Sequence, residues 1–175
     1  MTKLFIPSSL QNNRGGYLML ELIISLFINI TLAIMLFQCF AIVLPRLEQV
    51  KNLLELYDAS HYTFSILEKN IGYDAAFVTI EQDIQKKPRL NCQTLQGNLS
   101  YSFTKEGNYL YKTINKASTS GKNPLYIPGC QIDSWKLIKL GEKALLIEIK
   151  FRKQTTQIAV KKIIYCLNGR IMANE

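Results

Sequence analysis

The chain has a single histidine, His61, and none of its four cysteines lies in a CxxC pair. This argues against a zinc site, which draws on clustered His and Cys ligands. The glycine-bearing stretches GNLSYS and GEKALL lack the GxxxxGK[ST] or GxGxxG arrangement, so no phosphate-cradling loop is present. A hydrolase is equally unsupported. His61 sits in YDASHYTF, beside an apolar stripe at helical spacing, where a structural role is expected. Asp58, Glu81 and Asp83 show none of the pairing that acid–base chemistry needs. No enzyme activity and no cofactor are expected. An arginine-rich stripe is also missing: the basic residues are scattered as Lys86-Lys87 with Arg89, Lys136 with Lys139, Lys150 with Arg152-Lys153, and Lys161-Lys162.

The most telling absence is of charge between Leu22 and Leu44. As a helix rising about 1.5 Å per residue, this run covers the roughly 30 Å hydrocarbon core of a bilayer. Its polar members, Ser25, Asn29, Thr31 and Gln38, are uncharged and can bond to backbone or to neighbouring helices. Glu21 heads the run, and an acid deep in a bilayer costs about 2.5–3.5 kcal/mol, so it needs a partner. No A-x-A-like cleavage site follows the apolar run; instead Gly15-Gly16 precede it, the reverse of a secretory signal peptide. A cut after Gly16 would remove a polar leader and create an amine at Tyr17. That amine and the Glu21 carboxylate, four residues apart, share one helix face and can neutralise each other within one chain or between adjacent chains.

Gly16, Tyr17, Glu21 and the run from Leu22 to Leu44 together resemble the type IV prepilin family: a glycine, a cleavage point, an aromatic or apolar first residue, a glutamate four residues on, and a long apolar helix. The resemblance covers about residues 14–44, with Tyr17 in place of the commoner Phe. It implies cleavage between Gly16 and Tyr17 by a prepilin peptidase, N-methylation at Tyr17, and assembly through Glu21. The implied partners are the peptidase, other pilin or pseudopilin subunits and an inner-membrane assembly platform.

Past the membrane run, Pro45 should kink or interrupt the helix. The helix then resumes with an apolar stripe of Val50, Leu53, Tyr57, Phe64, Leu67 and Ile71, with Ser60 in the gap, and Gly72 as its expected stop. From there the pattern changes to alternation. Ala76, Val78 and Ile80 read as a strand and Lys86-Lys87-Pro88 as a loop. Leu99–Phe103 and Tyr109–Ile114 read as a hairpin turning at Lys105-Glu106-Gly107-Asn108. A polar loop is expected over Lys116–Pro124. Strands follow around Ile132, Trp135 and Leu137, at Leu145, Ile147, Ile149 and Phe151, and from Ile158 to about Leu167. The expected fold is α+β and pilin-like, a long N-terminal helix, its first half transmembrane, packed on an antiparallel β-meander. Its expected parts are a leader at 1–16, a transmembrane or filament-core helix at 17–44, an amphipathic second half at 45–72 and a β-sheet domain at 73–175.

Cys39 reads as a small apolar residue of the membrane run. In an oxidising compartment Cys92, Cys130 and Cys166 allow three pairings or none. Cys92 with Cys130 is the expected pair, since each lies near turn-like sequence, Pro88 and Gly129. The formal charge is +8, and the chain stays basic when Lys3 and Arg14 leave with the leader. Those two residues agree with a cytoplasmic N-terminus, whereas Arg46 and Lys51 oppose it. The expected location is the cytoplasmic membrane, single-pass, with the C-terminal domain outside the cytoplasm and assembled into a periplasmic or cell-surface filament. The polar leader, the non-Phe first residue and the stripe helix followed by a meander resemble minor pilins and minor pseudopilins of the W/J-like and competence type. A minor pilin-like subunit is therefore the first expectation and a type II secretion minor pseudopilin the second. The third is a monomeric membrane-anchored protein that uses its basic sheet to hold DNA or another polyanion. Tyr101, Tyr109 and Tyr111 on its strands are read as sheet packing before they are read as base- or sugar-stacking groups.

Overall fold

The computed structural model describes residues 9–82, 87–95, 97–116, 119–125 and 127–173, with side chains over 16–172 of these. Lys3, Asp83 and Lys86 lie outside the described residues. The chain is α+β. A long helix, α1 (Ser9–Glu68), runs through Pro45 without the expected interruption and passes into a π-helical turn, Lys69–Asp74. Nine strands follow: β1 (Ala75–Gln82), β2 (Pro88–Thr94), β3 (Leu99–Glu106), β4 (Tyr109–Lys116), β5 (Ser120–Leu125), β6 (Gln131–Lys139), β7 (Ala144–Lys153), β8 (Thr156–Tyr165) and β9 (Arg170–Ala173).

Two units divide the chain, Met1–Glu48 and Gln49–Glu175. In the first, every described side chain is exposed except the half-buried Thr31. That apolar helix therefore has no cover within its own unit, and a helix apolar all round belongs in lipid or among other helices.

The second unit has its own core. From α1 and the π turn come Leu56, Ala59, Phe64, Leu67 and Ile71, and they pack with Val78, Leu90, Phe103, Leu110, Trp135 and the inward row Leu145, Ile147, Ile149 and Phe151. Phe64, Leu67, Ile71 and Ser60 of the expected stripe are buried. Val50 and Tyr57 are exposed instead, and Asn52, Leu56, Ala59 and Thr63 take their place. The buried face is rotated toward polar residues whose bonds are already made. Thr63 Oγ1 donates to Ala59 O at 2.8 Å and Asn52 Nδ2 to Gln154 Oε1 at 2.8 Å, so their burial costs little. Gly72 does not stop the helix: it lies buried inside the π turn, where its carbonyl accepts from Leu167 N at 3.0 Å, and β1 begins three residues later.

The strands form two sheets rather than one meander. A six-stranded sheet has the order β5-β4-β3-β2-β1-β9 and a three-stranded sheet the order β6-β7-β8. All described pairings are antiparallel except β1 with β9, which is parallel and carries Val78 opposite Ile171. The β3–β4 hairpin turns where expected, with Gly107 at φ 56°, a left-handed conformation that glycine adopts without strain. Gly169, just before β9, has a different reason: a Cβ there would stand 1.9 Å from Ala76 O, so only glycine lets β9 dock. Lys87 is without regular structure, as expected of its loop, but a strand begins at the next residue, and the second expected loop is largely strand. Pro88 opens β2, and the supposed loop at Lys116–Pro124 contains β5, an edge strand with Pro124 in it. β5 is exposed along all but Leu125, and an exposed edge needs no apolar alternation and tolerates proline.

Candidate functional site

Of the residues singled out from the sequence, Gly16, Tyr17 and Glu21 fall together on α1 in the first unit. Helical spacing stacks Tyr17 and Glu21 one turn apart, and with Leu20, Ile24, Ser25 and Ile28 they border a shallow groove along the helix. Glu21 and Tyr17 are both exposed. No described residue forms an ion pair with Glu21. The run below it satisfies its own hydroxyls, Ser25 Oγ donating to Leu22 O at 3.0 Å and Thr31 Oγ1 to Phe27 O at 2.7 Å. These side chains therefore present methyl and methylene surface outward and do not oppose burial in lipid. The helix is long and apolar enough to cross a membrane.

Gly16 is unexplained by packing. A Cβ built on it would meet nothing within 4 Å, so alanine would fit. Glycine inside a helix costs about 1 kcal/mol relative to alanine, and here no contact among the described residues offsets it.

The chain matches no family model, no curated protein and no solved structure. The architecture is one long apolar N-terminal helix, with a segment able to span a membrane, followed by two sheets on which its later turns pack.

The other candidate groups are dispersed. Cys92 and Cys130 are both free thiols, and the bond expected between them is not formed. Neither lies in an exposed loop. Cys92 is buried in β2, where burial first and then the Cys166 thiolate push its pKa up to about 12. Cys130 approaches the α1 backbone, its Sγ 3.8 Å from Glu55 O. The error in the expectation was the unrecognised strand β2, which carries Cys92 into the core. His61 is exposed beside a groove between α1 and β8 lined by Tyr57, Asp58, Phe64, Val160 and Lys162, and nearby Ser60 Oγ donates to Tyr57 O at 2.8 Å.

Four of the scattered basic residues meet acids of the same unit. Arg152 pairs with Asp133 at 3.2 Å, Lys161 with Glu148 at 3.5 Å, Lys162 with Glu68 at 2.6 Å, and Lys153 with Glu55. Arg89 is held by Asn91 Oδ1 at 3.1 Å. Two of the strand tyrosines are covered on one ring face by lysine: Lys112 Nζ lies 4.0 Å from the Tyr101 centroid, and Lys122 Nζ 4.7 Å from that of Tyr111.

Proposed function

We propose that the chain is a minor structural subunit of a type IV pilus-like filament, made as a prepilin and priming assembly or sitting near the filament tip. Cleavage between Gly16 and Tyr17 by a prepilin peptidase frees an amine, which is N-methylated, and the helix over 17–44 holds the subunit in the cytoplasmic membrane until assembly. The observation that carries this reading is the lone Glu21 on an uncovered apolar helix, four residues beyond Tyr17 and five beyond a glycine whose Cβ position meets no described atom. In a bundle of such helices the Glu21 carboxylate meets the Tyr17 amine of an adjacent subunit. A mis-set register leaves that charge buried and unpaired, which costs several kcal/mol and so selects one axial offset. The second unit stays outside the lipid, and the inner-membrane assembly platform is the partner that extracts the helix.

Pili and DNA-uptake machines are the first hosts for such a subunit and type II secretion systems the second; a few copies per filament agree with all of these, and a major share of filament mass rejects the minor role. The engagement of Arg152, Lys153, Lys161 and Lys162 by carboxylates favours a filament role over a monomeric DNA- or polyanion-binding one, because those charges are already partly neutralised. The test is the intact mass and N-terminal sequence of the membrane-extracted protein made with and without a prepilin peptidase. A peptidase-dependent start at Tyr17 is the expected result, and a chain still carrying its leader beside an active peptidase would sink the proposal.

A further inference from the structure

A cavity of about 340 Å³ opens between the last turns of α1, the π turn and the β3–β4–β5 face, with Tyr62, Lys69, Asn70, Tyr101, Lys112 and Asn123 around it. Lys112 enters from the inward side of β4, opposite the fully buried Phe103 on β3 and Asn123 on β5. Its Nζ donates to Asn70 Oδ1 at 2.7 Å and rests over the Tyr101 ring. Asn70 is 3% exposed and is fixed from its other end, Nδ2 donating to Ile66 O at 2.5 Å, so its oxygen is held toward the lysine.

Among the described residues no carboxylate stands within ion-pair distance of Lys112, although five other basic side chains have one. Burial pushes the Lys112 pKa below its ordinary value; Asp74 at the cavity edge draws it back up and Lys69 pushes it further down. A half-buried ammonium with only a neutral amide oxygen and a ring face as direct partners is under-compensated. Around the cavity two ammonium groups face one carboxylate, an excess of one positive charge. That balance suits a monoanion better than a phosphate dianion. The remaining lining offers the phenols of Tyr62 and Tyr101 and the Asn123 amide as hydrogen-bonding groups, with the Tyr62 ring as a flat apolar face.

We propose that this cavity binds a small hydroxylated monocarboxylate, the chemistry of a sugar acid, with Lys112 gripping the carboxylate and the tyrosines and Asn123 meeting the hydroxyl-bearing body. The site lies wholly within the second unit and does not depend on the filament reading: a chain that no prepilin peptidase cuts would bind equally well.

The test is calorimetric titration of the full chain in detergent with four probes: sodium glucuronate, glucose, sodium acetate and inorganic phosphate. Glucuronate is expected to bind most tightly, since it alone supplies both the monoanion and the hydroxylated body. Lys112→Gln, which keeps a donor for Asn70 and removes the charge, is expected to weaken glucuronate by about tenfold or more. Lys122→Gln, on a lysine outside the cavity lining, is expected to leave it unchanged. Should Lys112→Gln fail to fold, Asn123→Asp places a carboxylate opposite Lys112, where it competes for the ammonium and repels the ligand, and must weaken glucuronate as well. No binding of glucuronate, equal binding by a folded Lys112→Gln chain, or tighter binding of phosphate would each overturn the proposal.

Discussion

The two units use one helix in opposite ways. Over residues 17–44 α1 shows apolar side chains on every side and has no cover from its own unit; over Asn52–Leu67 it buries one face under two sheets and leaves the other in water. The backbone is helical in both. What differs is where the free energy of ordering comes from, since helical stability in proteins derives mainly from packing of a face rather than from propensity. The second segment is held by its own strands, so it is stable as part of a folded unit. The first has to be held by lipid or by other chains, and its exposed side chains measure what the isolated chain lacks.

Substitutions can break this contrast from either side. The largest effect is expected from Glu21→Leu, which removes the only acid of the apolar surface: incorporation into filaments should be lost while membrane insertion and the thermal unfolding of the second unit stay as they were. Normal incorporation, measured by immunoblot of sheared filaments, would remove the register mechanism. Phe103→Ala acts on the other unit alone. Phe103 is fully buried, and its truncation should cost about 3–5 kcal/mol in the denaturant unfolding of the second unit with no change in membrane insertion. Gly169→Ala should cost about 1–3 kcal/mol, because β9 must move away from Ala76, and hydrogen exchange should then speed up in β9 and β1 before other strands. Uniform acceleration across all strands would show that β9 does not detach by itself.

The effect confined to alkaline pH belongs to Cys92. Its folded pKa is raised to about 12 from an ordinary 9, so the thiol form is favoured by folding. The stability this provides is complete below pH 9 and is lost as pH rises from there toward 12. Unfolding free energy of the wild type should therefore fall over that window more steeply than in Cys92→Ala, which has no thiol to ionise at this position. Parallel pH profiles would place the sensitivity elsewhere.

The first unit was legible because composition alone defines it: an uncharged run of bilayer length leaves few alternatives, and Glu21 and Gly16 stand out against it. The second was legible only where alternation was clean. β7, with Leu145, Ile147, Ile149 and Phe151 all inward, and the β3–β4 hairpin at Gly107-Asn108 fell where expected. β2 was hidden because only Leu90 and Cys92 of PRLNCQT are buried, and β5 because an edge strand of Ser, Gly, Lys, Asn and Pro has the composition of a loop. The helix face was displaced by a related cause. Asn52, Thr63 and Asn70 point inward with their hydrogen bonds supplied locally or by Gln154, and hydropathy does not register a polar group that is already bonded. The Lys112 cavity left no signal at all, since its members come from the helix, the π turn and three strands that only the fold brings together.

The parallel pairing of β1 with β9 has a kinetic consequence. Phe77 meets Arg170 across most of the domain's sequence, so the strand that begins the six-stranded sheet waits for the strand that completes it. Closing so long a loop carries its entropy cost before the contact returns anything, and pairings of this kind form late. During synthesis the apolar helix emerges first, while the sheet still has an open border at β1. Until Arg170–Ala173 arrives, the unfinished β1 edge is the segment of the sheet most in need of protection from other chains.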